Sequence, residues 1–406
     1  MPSRRLRAMP GVAAACSAVL AGCAVLLAGC WSAPRPASEP TPLRPDWRAV
    51  TLPTPPGAPG RLLLRDAAAC GGRWFVVGAV ADAAGVTRPA AWSSPDTAAW
   101  TPLRLAARSG YGAQNVLTAV GCRDGRLAAV GAKSGGAHGN PRVSTWRQLA
   151  DGSVVEVPAE FEVFGGPDAV NVGRIAGGPE GWVIAGNRGT GAAAWSSVDA
   201  GEFRLVSGVP PLASDAAGRT WAADVAAGAS GWVLVGSKLA SGRPGGDPAV
   251  WTSPDGLGWR REALSGVDTP GDLQRVVRAG ERLVAVGRRG DGVGAWIEGP
   301  GGAAGATRAG WRPGGVLERA GGASAQVAGL AAVDGGMVAV VLSDAGGAAW
   351  FSTDGGGWSP VLVPAPLPVG ADRSVAVAGA GDRVLLLVDG ARGAGVWSAR
   401  MPDGPG

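Results

Sequence analysis

The chain has 406 residues and a formal charge of +5, and 46% of the residues are apolar, which is ample for a large buried core. Glycine supplies 70 residues and tryptophan 17 against a single tyrosine, a balance that favours turns and short strands over helices. Five cysteines without CxxC spacing and one histidine, His138, argue against a Cys/His zinc site; Arg4, Arg5 and Arg7 lie in a leader whose removal leaves +2, so the charge does not point to nucleic acid.

Residues 1–10 carry those three arginines, and residues 11–29 are uncharged and apolar or small, the n-region and h-region of an export signal. A run of this length could instead span a bilayer uncleaved. Both readings predict that the bulk of the chain lies outside the cytoplasm. The run ends in Leu27-Ala28-Gly29-Cys30, which resembles the lipobox of bacterial lipoproteins, and a second match stands at Leu20-Ala21-Gly22-Cys23. Cutting before Cys30 uses the whole apolar run, so Cys30 is the expected lipidation site. The resemblance implies a chain anchored by lipid to the extracytoplasmic face of the cell membrane, where each buried methylene contributes about 0.8 kcal/mol. Residues 30–46 then form a tether rich in proline (Pro34, Pro36, Pro40, Pro42 and Pro45), semi-extended at about 3 Å per residue.

Beyond the tether one unit recurs. Its second strand reads WFVVG at 74–78, LAAVG at 127–131, WVIAG at 182–186, WVLVG at 232–236, LVAVG at 283–287, MVAVV at 337–341 and VLLLV at 384–388. A third strand closes on Trp92, Trp146, Trp195, Trp251, Trp296, Trp350 and Trp397, spaced 45 to 56 residues apart. Both series count seven, and the spacing suits a four-stranded propeller blade. The seventh unit stops after Arg400 without a fourth strand, while Trp47-Arg48-Ala49-Val50-Thr51-Leu52 stands unattached ahead of the first. An N-terminal strand completing the last blade would close the ring and leave only short edges. The predicted fold is therefore an all-β, seven-bladed propeller over residues 47–400, preceded by a signal peptide at 1–29 and followed by a tail at 401–406. The recurrent tryptophans are expected in the core.

The turns after the third strands read Ser94-Pro95-Asp96…Trp100, Ser197-Val198-Asp199…Phe203, Ser253-Pro254-Asp255…Trp259 and Ser352-Thr353-Asp354…Trp358. This pattern resembles the Asp-box (BNR) turn of sialidase-like propellers, in four blades of seven, with one residue fewer between Ser and Trp than in the commonest box. The resemblance implies a turn held by the aspartate, away from any active face. Sialidase chemistry would need a tyrosine nucleophile with a carboxylate partner. The sole tyrosine, Tyr111, lies in an inter-blade loop with no acidic residue beside it in sequence.

In a propeller the loops between strands two and three share a face with the loops between blades, and that face commonly binds ligands. The distance from strand two to the third-strand Trp is 18 or 19 residues in blades one, two and four, and 13 in the others. Long inter-blade loops at about 155–171 and 206–221 fall in the same sector. The candidate ligand-binding residues there are Arg88, Arg108, Tyr111, His138, Asn140, Arg142, Asp168, Arg219, Trp221, Lys238, Arg243 and Asp247, with Lys133, Asn171 and Asp215 beside them. The mix leans basic and suggests a polar, acidic ligand. Cys70 and Cys122 end the first strands of blades one and two, so a disulfide between them is expected, with two buried thiols as the alternative. No catalytic set, metal or cofactor is expected. The sequence points to a binding or assembly platform for a protein or glycan, with a sialidase-like enzyme or a structural envelope protein as alternatives.

Overall fold

Every blade is built on an apolar run of the kind that a sheet buried on both faces requires. The structure, a computed structural model, describes residues 40–135, 141–240, 245–299, 310–318, 324–370 and 373–402. It contains seven antiparallel sheets arranged as a seven-bladed propeller. In blade one the strands Arg61–Cys70, Arg73–Ala81, Thr87–Ser94 and Thr101–Pro102 run from the axis outwards. The other blades repeat this order. Blade seven is completed by Arg48–Val50, which pairs antiparallel with Gly393–Arg400, Ala49 opposite Trp397. The ring is thus closed by the strand that stood unattached in the sequence. Blade two adds a short parallel strand, Leu105–Ala106, beside Val154–Val157.

The glycine that ends the second-strand motif has a steric cause. The inner strand of blade one shifts register between Leu64 and Asp66, and a like bulge occurs in blades two, three, four and six. At each bulge the strand bends and re-aims its side chains. In blade one the bend presses the Leu63 carbonyl into the space that a Cβ on Gly78 would need; the Trp221 carbonyl does the same at Gly236.

Trp92, Trp146, Trp195, Trp251 and Trp296 are fully buried, while Trp350 and Trp397 are half-buried. Four of them also tether incoming chain. The indole N–H donates to Pro53 O (2.8 Å) from Trp92, to Asn115 Oδ1 (3.1 Å) from Trp146, to Val163 O (2.6 Å) from Trp195 and to Pro211 O (2.6 Å) from Trp251. Each acceptor lies on the segment that leads into that blade's inner strand. The tryptophans are packing residues that also pin the loops of the opposite face.

The Ser–Asp turns hold themselves as their composition suggests. Asp96 Oδ1 accepts the N–H groups of Ala98 and Ala99, Ser94 Oγ accepts that of Thr97, and Trp100 Nε1 donates back to Thr97 O. Asp255 and Trp259 repeat the set in blade four. The Ala99 and Ala98 N–H groups, in that order, hold the Asp96 carboxyl below its usual range.

Cys70 and Cys122 are disulfide-bonded, with their Cα atoms 5.8 Å apart, and so staple the inner strands of blades one and two. Replacing both with serine should cost about 2–4 kcal/mol, seen as a lower urea midpoint. In unreduced, unfolded protein neither cysteine should react with an alkylating agent. Labelling of both would remove the bridge from the account.

Candidate functional site

Inner strands start, and second strands end, on the face that carries the inter-blade loops. Of the recesses that open there, two lie next to the residues singled out in the sequence. The first lies between blades two and three, with a volume of about 300 Å3. Its floor is made by Glu156, from the fourth strand of blade two. This buried carboxylate accepts four hydrogen bonds: from the backbone N–H groups of Arg108 and Ser109, and from the hydroxyls of Ser109 and Ser144. They fix the 108–112 loop over the strand and carry Tyr111 to the rim.

A one-turn helix, Phe161–Phe164, brings Phe161 to the same rim. Tyr111 is 48% and Phe161 55% exposed. The Arg142 guanidinium lies over both rings, 4.7 Å from the Phe161 centroid and 5.5 Å from that of Tyr111. Cation–π contact holds it in a set plane. Among the described residues its N–H groups meet no acceptor, so they remain open to a ligand. Glu156 is spent on the loop and is not presented to the Tyr111 phenol.

The second recess, of about 580 Å3, is the mouth of the axial channel between blades three and six. Trp221 and Asn171 stand at it, with Arg174 and Arg275 below and an Asp272–Arg288 ion pair (2.6 Å) at one side. An adjoining chamber of about 300 Å3 lies beside it at the axis and shares Gly173, Arg174, Arg275 and Gln326 with the mouth.

Four of the charges at this hub come from one repeat position. Asp66, Arg174, Asp224 and Arg275 each stand eight residues ahead of the residue that opens the second-strand motif: Trp74, Trp182, Trp232 and Leu283. Arg174 contacts Asp66 at 3.1 Å and Asp224 at 3.9 Å. The carboxylates also bind across blades, Asp66 accepting the Val120 N–H and Asp224 that of Val276. Burial acts against the charge of Arg174, but Asp66 and Asp224 outweigh it, and its guanidinium stays firmly protonated. Burial pushes the Asp224 carboxyl up, against the pull of Arg174 and Arg275. Burial, and then the charge of Arg174, lower Arg275 to about 10. It therefore remains a cation at neutral pH, donating to two carbonyls, Gln274 O and Ala328 O.

Of the residues singled out in the sequence, the fold brings Tyr111 and Arg142 into one pocket, with Arg108 contributing its backbone. Trp221 belongs to the channel mouth instead. Arg88 ties the 53–60 segment by donating to Ala58 O (2.8 Å), and Lys238 pairs with Asp215 (2.7 Å). Asp168 and Arg219 are exposed, and Asp247 opens the strand Asp247–Ser253. His138, Asn140 and Arg243 lie outside the described residues, as does Cys30. Sequence reasoning missed Glu156, Phe161 and all the hub charges. The hub was detectable: an Asp or Arg interrupting an apolar inner strand at a constant offset is a repeat-level signal.

No family model matches the chain, and no curated protein matches it. Solved propellers do. The β-propeller domain of Cps50 (Swd1) from Myceliophteria thermophila has a TM-score of 0.50 at 13% identity, covering 84% of this chain and 97% of that one. A prolyl endopeptidase has a TM-score of 0.50 at 12% identity, covering 84% of this chain but 47% of that one. The Pseudomonas aeruginosa periplasmic gluconolactonase scores 0.46 at 15% identity, over 74% of this chain and 86% of that one. The likeness is one of fold. Propellers host many activities, so function has to be argued from the site.

Proposed function

We propose that this chain is a lipid-anchored, extracytoplasmic propeller that serves as a binding platform for a protein or glycan partner bearing an acidic group. The observation that carries the reading is Arg142, held over the exposed rings of Tyr111 and Phe161 with its N–H groups open. A planar guanidinium fixed by aromatic faces suits a carboxylate or other acidic oxygen pair, and little freedom is left to lose on binding. The rings add apolar contact for a sugar face or a side chain. The leader and the Leu27-Ala28-Gly29-Cys30 motif support lipid anchoring at Cys30, and the Cys70–Cys122 bridge supports an oxidising compartment.

The test is crosslinking of the tagged chain on living cells, paired with a glycan array probed with the purified protein. Arg142→Ala should lower recovery of the partner, or array binding, by about 10- to 100-fold, as loss of an interface hot spot does. Cys30→Ala should abolish recovery on cells and leave array binding intact. Wild-type binding by Arg142→Ala would overturn the pocket, and unchanged membrane retention of Cys30→Ala would overturn the anchor.

A further inference from the structure

The adjoining chamber at the axis differs in charge from the other recesses described above. Four arginines line it: Arg65 from the inner strand of blade one, Arg174 from blade three, Arg275 from blade five, and Arg373 at the entry to blade seven. No carboxylate is among its lining residues. The balancing aspartates are present but set back inside the blades. Asp66 and Asp389 are buried to within 1% of complete burial, and Asp224 is 7% exposed. Asp389 takes Arg65 at 2.6 Å and Arg61 at 3.2 Å. Arg275 has carbonyl partners only, and its Nε has none.

Among the described residues, five arginines (Arg61, Arg65, Arg174, Arg275 and Arg373) therefore face three aspartates at the hub, an excess of two positive charges. Bulges aim these side chains inwards: Arg65 is the extra residue in the shift between Leu64 and Asp66, and Arg174 lies in that between Val172 and Ile175. Cations grouped around one recess repel one another, and an anion placed among them relieves that repulsion.

We propose that the axial chamber is a second binding site, for a small dianionic oxyanion, phosphate or a short dicarboxylate, held by Arg65, Arg174, Arg275 and Arg373. The chamber volume of about 300 Å3 admits either ion with some of its hydration. Guanidinium groups bind both through paired N–H donors. The site is separate from the pocket at Arg142, with which it shares no lining residue.

The experiment is calorimetric titration of the full chain in detergent, at low ionic strength, with inorganic phosphate and with succinate in separate runs. Arg275→Gln and Arg373→Gln are the variants. Arg373 is exposed, so its replacement keeps the fold even if Arg275→Gln does not, and circular dichroism checks both. Saturable one-to-one binding of phosphate, of succinate or of both, weakened at least tenfold in Arg373→Gln, is the expected result, and the probe that binds assigns the ligand class. Arg142→Ala should retain the wild-type affinity here. Absence of heat from both probes with folded wild-type protein would overturn the site. Equal affinity in the wild type and in Arg373→Gln would do the same, because surface arginines would then account for the binding.

Discussion

Trp251→Ala lowers the stability of the propeller by about 3–5 kcal/mol, the usual cost of emptying a fully buried aromatic site. Two terms add here. The indole is completely buried against blade three and its own sheet, in a cluster with Ala249, Leu234 and Trp259. Its Nε1–H also binds Pro211 O at 2.6 Å, which pins the 206–217 segment. Urea unfolding reads the total. Hydrogen exchange separates the second term, because amides near Pro211 should lose protection in Trp251→Phe, a variant that keeps most of the packing and removes the donor. If the row of tryptophans instead served ligands by stacking, Trp251→Ala would leave the urea midpoint near the wild-type value and abolish binding.

Asp66→Ala is expected to cost a similar amount, about 3–5 kcal/mol, for a different reason. The carboxylate is buried and serves two groups at once, Arg174 at 3.1 Å and the Val120 N–H at 2.8 Å. Its loss leaves a cation facing only Asp224, at 3.9 Å, and an unpaired backbone donor. Replacing both members of the pair, Asp66→Ala with Arg174→Met, should be less damaging than the sum of the single changes by about 1–3 kcal/mol, since no uncompensated charge remains. Urea midpoints of the four proteins give this coupling. A cost below about 0.5 kcal/mol for Asp66→Ala would mean that the carboxylate acts as an ordinary surface group.

The candidate sites were legible to different degrees. Tyr111 and Arg142 could be placed in one sector because loop lengths grow in blades one, two and four. Their partners could not. Glu156 sits on a short fourth strand, an apolar run broken by one charge, Val154-Val155-Glu156-Val157, and nothing local says that its carboxylate turns back to the 108–112 loop. Phe161 lies in a connection without periodicity, so its rim position follows from a single helical turn formed only in place. Trp221 was grouped with the loop residues, whereas its strand carries it to the channel mouth.

What the sequence determined by itself was the architecture. Seven apolar second strands, seven third-strand tryptophans and one surplus N-terminal strand admit few arrangements, because short buried strands must pair with neighbours and a ring must close. Five of those motifs end in glycine, and in blades one to four that glycine accompanies the inner-strand bulge. Tertiary structure decided how the hub charges meet. Asp66, Arg174 and Arg275 are about a hundred residues apart in the chain. Their charges meet only because seven blades curve around one axis, where a position repeated along the sequence becomes a ring in space.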